Sequence, residues 1–327
     1  MKMPKSWKRM TVIMMLGLVT VLLSGCGELM VMDPKGPIGS QQRDLIIIAT
    51  VLCSVIIVPV LILTAIIAIR YRDKPNNKAA YTPKWEHSTK LEVTWWGIPI
   101  VIIIILATIT ARYTYATEPS KPLESDKKPM TIQVTSLDWK WLFQYPEQDI
   151  ATVNYLNIPA DVPIRFELTS DAPMNSFWIP QLGGQMYTMS GMAMVLHLQA
   201  DEVGVYHGSG ANFSGLDFAK MKFNVNAMSQ EDFDAWAVKT KSESKPLTLD
   251  GYLELAKPSV EETQSFSSIP EGLFNKIVHK YAASHQHGDN GLTNNKPQKS
   301  EGTSSDAMPI KPDSGDGAVQ TQDHAGN

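Results

Sequence analysis

Residues 45–69 form an unbroken run of 25 residues without a single charge. As a helix rising about 1.5 Å per residue, such a run crosses the roughly 30 Å hydrocarbon core of a bilayer with length left for tilt. Hydrocarbon offers the backbone no water to bond, so an isolated apolar segment is confined to the helix. A second run, about 91–111, is rich in Ile and carries one acid, Glu92, at its start. Pro59 and Pro99 lie inside the two runs, where membrane helices tolerate them. The sequence therefore predicts a transmembrane hairpin with spans at about 45–69 and 91–111.

The direction of the hairpin follows from charge. The loop 70–90 holds Arg70, Arg72, Lys74, Lys78, Lys84 and Lys90 against Asp73 and Glu86. Short loops rich in Lys and Arg stay in the cytoplasm, so both ends of the hairpin face outward. Trp95, Trp96, Tyr113 and Tyr115 fall near the interfaces, as aromatic belts do. The N-terminus gives the same orientation. Lys2, Lys5, Lys8 and Arg9 precede an apolar run at 11–23 and the string Leu23-Ser24-Gly25-Cys26. A basic region, a short apolar core and small residues describe a secretory signal. A Cys directly after them resembles the bacterial lipoprotein signal, in which cleavage frees Cys26 to take a diacylglycerol group. Residues 1–25 are read as that signal and 26–111 as a lipidated N-terminus with the two spans. An ordinary signal with a chance Cys is the plainer alternative. The expected location is a bacterial plasma membrane, as a multi-pass lipoprotein with its large C-terminal domain extracytoplasmic.

The exported part reads as short strands. Segments 131–135, 139–145, 153–158, 162–169, 193–198 and 221–227 are rich in β-branched or aromatic residues. Turn residues punctuate them, including Asp161, Asp171-Ala172-Pro173 and Gly183-Gly184. Short strands at this spacing predict an all-β sandwich or barrel. Within 229–282 the pattern turns helical. Ser229 suits an N-cap, with Glu231 and Asp232 in the first turn and Phe233, Trp236 and Ala237 on one face. A second helix is expected at 270–281, opened by Pro270 and carrying Leu273, Ile277 and Tyr281 on one side. Residues 283–327 have almost no large apolar side chain and predict a disordered tail. His285, His287 and His324 lie there and are assigned no site. A net charge of −4 with no basic block gives no sign of nucleic-acid binding.

Segment 210–221 reads Gly-Ala-Asn-Phe-Ser-Gly-Leu-Asp-Phe-Ala-Lys-Met. It resembles the loop that carries dinuclear copper in subunit II of the haem-copper respiratory oxidases, with the pattern Cys-x3-Cys-x3-His-x2-Met. In this chain that spacing falls on Gly210, Ser214, Phe218 and Met221, with Asn212 inside the loop as a further degenerate ligand position. Asn175-Ser176-Phe177 resembles the family's His-Ser-Phe segment, which carries the first copper ligand, with Asn175 in place of the His. The string Leu137-Asp138-Trp139-Lys140-Trp141 resembles its aromatic segment. The resemblance runs collinearly from the first span to about Tyr281. It implies a cupredoxin-like Greek-key sandwich over 112–228, following the two transmembrane α-helices.

Chemistry points the same way independently. The chain has two Cys, Cys26 and Cys53, and none in the exported domain. Neither a disulfide nor a thiolate-bridged copper pair can form there. Gly210 and Phe218 are expected to form a packed plug where relatives hold metal. Another reading uses Met186, Met189, Met192 and Met194 as soft thioether ligands for Cu(I), with His197 and His207 nearby. Against it, Met commonly fills packing gaps. Trp139 and Trp141 are expected to pack with their indole N–H groups bonded.

The family resemblance implies subunit II of a proton-pumping quinol oxidase, which oxidises quinol and reduces oxygen to water. Haem and the oxygen-binding copper would then lie in subunit I, the principal partner. Smaller membrane subunits and lipid would complete the surroundings, with no cytochrome c involved. This chain would hold no redox centre or metal and have no activity alone. The string Leu91-Glu92-Val93-Thr94-Trp95 resembles the family's Glu-x2-Trp segment, which implies a proton entrance at Glu92. A carboxylate suited to the helix N-terminus is the alternative. A membrane-anchored copper-binding or copper-transfer lipoprotein, a cytochrome c oxidase subunit II and a purely structural lipoprotein are the competing functions.

Overall fold

The computed structural model describes residues 29–289 apart from positions 74, 76, 78, 81 and 83. The signal, Cys26, Lys74, Lys78 and residues 290–327 lie outside the described residues.

Two long helices come first: α1, Pro37–Arg70, and α2, Thr89–Ala116. Pro37 stands in the first turn of α1, where its missing N–H leaves no bond unmade. Both helices expose apolar side chains along most of their length, as lipid requires and water forbids. Their hydroxyls turn back on the helix. Thr50, Ser54 and Thr64 donate to the carbonyls of Ile46, Thr50 and Val60 at 2.7 Å. That hides donors which would otherwise face hydrocarbon.

The chain then folds into two sheets. One has the order β11-β3-β2-β1-β5-β8, from β1 (Met130–Leu137), β2 (Lys140–Tyr145), β3 (Ile150–Val153), β5 (Ile164–Ser170), β8 (Met194–Leu198) and β11 (Gln264–Phe266). The other has the order β4-β10-β9-β6-β7, from β4 (Tyr155–Pro159), β6 (Asn175–Trp178), β7 (Met186–Thr188), β9 (Gly204–Gly210) and β10 (Lys222–Met228). The β1–β5 and β4–β10 pairs are parallel and the other ladders antiparallel. This is the expected cupredoxin-like sandwich.

Aromatic rings fill the space between the sheets. Phe177 stacks on Phe223 with centroids 5.3 Å apart, and Trp141 meets Phe177 edge-on at 5.4 Å. Gly208 makes room for this stack, since a Cβ there would lie 2.1 Å from the Phe223 ring. Segment 153–158, expected to be one strand, is divided between the sheets. Asn154, at φ 59°, breaks it between β3 and β4. Asn tolerates this left-handed conformation. Its Oδ1 accepts from the Trp141 N–H at 2.9 Å, and its Nδ2 donates to the Glu261 carbonyl at 2.8 Å.

The sandwich is fastened to both membrane helices. The Lys35 N–H donates to the Gln181 carbonyl at 2.7 Å and the Gly39 N–H to Leu182 at 3.0 Å. After α2, the Pro119 carbonyl accepts from the His197 N–H at 3.0 Å, with the His197 Nδ1 at 3.2 Å.

The C-terminal part comprises α3 (Gln230–Glu243), α4 (Leu249–Leu255), β11 and α5 (Leu273–Asp289). α3 packs Phe233 and Ala237 into the main core beside Tyr145, β11 extends the edge of the first sheet, and α4 and α5 cover its outer face. Ser229 caps α3, its Oγ accepting from the Asp232 N–H at 3.1 Å. α5 continues through Asp289, beyond the point where the sequence turns wholly polar. A second core forms here, with Leu137, Leu142, Ala151 and Val153 against Leu247, Tyr252, Leu255, Leu273 and Ile277. Lys140 is fully buried beneath it, its Nζ donating to the Lys257 carbonyl at 3.0 Å and to Ser259 Oγ. Burial lowers the Lys140 pKa, and Glu261 and Asp138 oppose the shift.

One carboxylate ties this extension to the sandwich. Asp171, its side chain 1% exposed, accepts from Tyr252 Oη at 2.6 Å, and from Tyr281 Oη and Lys280 Nζ at 2.7 Å each. Burial first, and then the bond to Asp171, raise the pKa of both tyrosines. Asp171→Asn should cost about 2 kcal/mol, the scale of a hydrogen bond to a charged group. Urea unfolding reads the loss, and hydrogen exchange should quicken in α4 and α5 while β6 and β9 stay protected. Alkali should act on the same contacts. Free tyrosine ionises near pH 10, whereas these remain protonated in the fold. Stability should therefore be complete below about pH 10 and fall as pH rises further. Substituting Phe for Tyr252 should flatten that decline.

Candidate functional site

Two strand ends and one loop build the site. Asn175 opens β6, Gly210 closes β9, and the chain returns through residues 211–221 to β10. The loop is pinched at its base, where the Gly210 N–H donates to the Met221 carbonyl and the Ala211 N–H to Ser176, each at 2.9 Å.

Asn175 is the hub. Its side chain is buried, and its Nδ2 lies 3.0 Å from Ser214 Oγ and 2.7 Å from Met221 Sδ. Its Oδ1 accepts from the Ser176 N–H at 2.7 Å. A Cβ on Gly210 would stand 2.9 Å from that Oδ1, so the glycine leaves room for the amide. Asn175, Gly210, Ser214 and Met221 thus converge. The other two degenerate positions do not. Phe218, in a short 3-10 turn, is half-buried and packs edge-on against exposed Phe213 at 5.8 Å. Asn212 donates from Nδ2 to the Met174 carbonyl at 3.3 Å. The expected Gly210–Phe218 plug is therefore corrected: the Asn175 amide fills the centre, because Phe218 is drawn outward onto Phe213.

The converging donor set is an amide, a hydroxyl and a thioether, with no imidazole and no thiolate. It does not fit dinuclear copper, which needs bridging thiolates. Among the described residues no group of three or more His, Cys, Asp or Glu is placed to hold a metal. His207, on β9, is half-buried, and burial and then Lys222 lower its pKa. His197 is the strap to Pro119 described above. Met186 and Met194 pack against the main core, as gap-filling hydrophobes do. Trp139, at φ 64°, reaches the loop and donates from Nε1 to the Ser214 carbonyl at 3.3 Å. Trp141 departs from expectation. Its indole N–H is buried among Phe rings and finds no acceptor among the described residues.

Glu92 lies in the first turn of α2, where exposed N–H groups favour a carboxylate. Its Oε1 is 2.6 Å from His87 Nδ1, and His87 Nε2 is 3.2 Å from Thr89 Oγ1. His87 sits in the polar loop, where no periodicity marks it out.

Residues 147–228 match the family described as the periplasmic domain of cytochrome c oxidase subunit II, and residues 241–285 match the COX aromatic rich motif. The cytochrome bo(3) ubiquinol oxidase subunit 2 of Pseudomonas putida is 47% identical over 89% of this chain and 90% of its own. The ubiquinol oxidase subunit 2 of Acetobacter aceti is 48% identical over 80% and 85%. The quinol oxidase subunit 2 of Bacillus subtilis is 46% identical over 78% and 81%. The chain belongs to the quinol oxidase subunit 2 family.

In this family member the aromatic rich motif is the extension that covers the first sheet. Its Tyr252 and Tyr281 end on Asp171, four residues before Asn175 in the chain. The membrane helices and the outward-facing domain make it a membrane-anchored protein with an extracytoplasmic sandwich.

Asn175→Ala should destabilise the domain by about 1–2 kcal/mol, through lost bonds and a small cavity. Gly210→Ala should also destabilise it by pressing on Oδ1. The double variant should lose less than the sum, because the Ala side chain occupies space that the amide vacates. Thermal unfolding of the four proteins measures the coupling, and strict additivity would show that the two positions do not share one space.

Proposed function

We propose that this chain serves as subunit 2 of a quinol oxidase, a complex that oxidises quinol and reduces oxygen to water. The carrying observation is the site at Asn175. An amide occupies the centre of a loop whose spacing matches a copper loop, and the chain is 46–48% identical to quinol oxidase subunits. In this reading electrons reach the oxygen-reducing centre from quinol without passing through the sandwich. Haem and copper belong to the partner subunit I, and cytochrome c is not a substrate. The chain contributes α1 and α2 as a packing surface and the sandwich as an outer cover. Cys26 carries the lipid, on the strength of the small residues before it.

Glu92 is the proposed proton entrance. Support comes from its place at the cytoplasmic edge of α2 and from the adjacent His87, which offers a second site for a proton within hydrogen-bond reach. The chain's own chemistry in this role is to hold and pass a proton at Glu92 Oε1.

Purification of the intact complex tests the assignment. The chain should co-purify with a haem-bearing multi-span subunit that consumes oxygen with quinol and not with reduced cytochrome c. Its mature N-terminus should carry the mass of a lipid on Cys26. Glu92→Ala should lower turnover several-fold with unchanged haem content and assembly, and Glu92→Asp should recover part of it. Full turnover in Glu92→Ala would remove the proton role and leave the subunit assignment standing.

A further inference from the structure

We propose that the outer end of the transmembrane hairpin binds the headgroup of an anionic phospholipid of the outer leaflet, with Arg112 as the phosphate-binding residue. A cleft of about 460 Å³ opens there between α1 and α2, lined by Gln41, Ile48, Ile109, Arg112, Tyr113 and Ala116. Its walls are graded along the membrane normal. Gln41 lies one turn outside the charge-free run of α1, and Arg112 directly follows that of α2. Ile48 lies about two turns deeper than Gln41 and Ile109 about one turn deeper than Arg112, at the level of acyl chains. The polar groups thus stand where phosphates stand, with apolar walls directly below.

Charge selects the occupant. Arg112 makes no ion pair or hydrogen bond through its side chain among the described residues. Its neighbours at this level are already matched: Arg43 pairs with Asp44 at 3.2 Å, and Lys35 with Asp33 and Glu202 at 3.4 and 3.1 Å. The adjoining cleft, about 370 Å³, shares Gln41 and Ala116 but mixes Lys121 with Glu118 and Glu124, and so offers an anion no net attraction. A guanidinium matches phosphate oxygens through paired N–H donors, and the Gln41 amide and Tyr113 hydroxyl add two more. A phospholipid alone brings a phosphate to this depth with an alkyl chain beneath it.

The test is native mass spectrometry of the intact oxidase complex after equilibration with vesicles of phosphatidylglycerol or phosphatidylcholine. Wild type should retain one phosphatidylglycerol on this subunit, with about a fivefold preference over phosphatidylcholine, the ratio that one basic residue supplies near a membrane surface. Arg112→Gln should abolish the preference and Arg112→Lys should keep most of it. Ile109→Trp, which fills the floor of the cleft and leaves Arg112 intact, should expel the lipid. It also keeps the test open if Arg112→Gln fails to assemble. The proposal is overturned by an unchanged preference in Arg112→Gln or by full retention in Ile109→Trp. It is equally overturned by displacement with millimolar glycerol phosphate, or by cross-linking of Arg112 to another subunit in place of lipid.

Discussion

β2 is buried on both of its faces, and the architecture outside the membrane is built around that demand. Trp141, Phe143 and Tyr145 point into the sandwich, where the opposing sheet supplies Phe177 and Phe223. Leu142 points the other way, into a core that exists only because the chain returns after the sandwich is complete. Lys140 lies on that side too, and a buried ammonium needs its donors satisfied. Segment 257–261 supplies the acceptors. The extension therefore completes a sheet that would otherwise present apolar side chains and a cation to no partner.

The same economy of contacts governs the loop at Asn175. Removing a metal from a cupredoxin frame leaves a hole lined by polar strand ends. Here the hole is closed by one amide that donates to Ser214 and Met221 and accepts from the Ser176 N–H. Met221 remains as a core side chain, and Gly210 keeps the approach open. The loop thus holds its conformation by hydrogen bonding around one buried amide.

Much of this was legible in the sequence, and the gaps have physical causes. The hairpin was readable because charge-free runs have one stable form in lipid. The α3 face at Phe233, Trp236 and Ala237 was readable from its cap and period. β9 was not, since Gly204, Gly208 and Gly210 erase any alternation, and what they make room for, the Phe223 ring at Gly208 and the Asn175 amide at Gly210, lies on other strands. The break at Asn154 was hidden because a positive φ in Asn carries no pattern of its own. At the site, the degenerate positions were visible from spacing, but the identity of the plug was not. Whether Phe218 or Asn175 fills the centre depends on which way a loop side chain turns. Asp171 was readable only as a turn residue and Arg112 not at all, because each looks like an ordinary turn or border residue until its neighbours are in place.

The fastenings at Gln181, Leu182 and Pro119 have a further consequence. A domain on a loose tether must give up rotational freedom each time it meets a partner. This one gave up that freedom when its own chain folded, because two membrane helices grip it at separate points. Docking onto a neighbouring membrane subunit is thereby reduced to motion in the plane of the bilayer, with the sandwich already facing the right way. The hairpin acts as an alignment jig as well as an anchor.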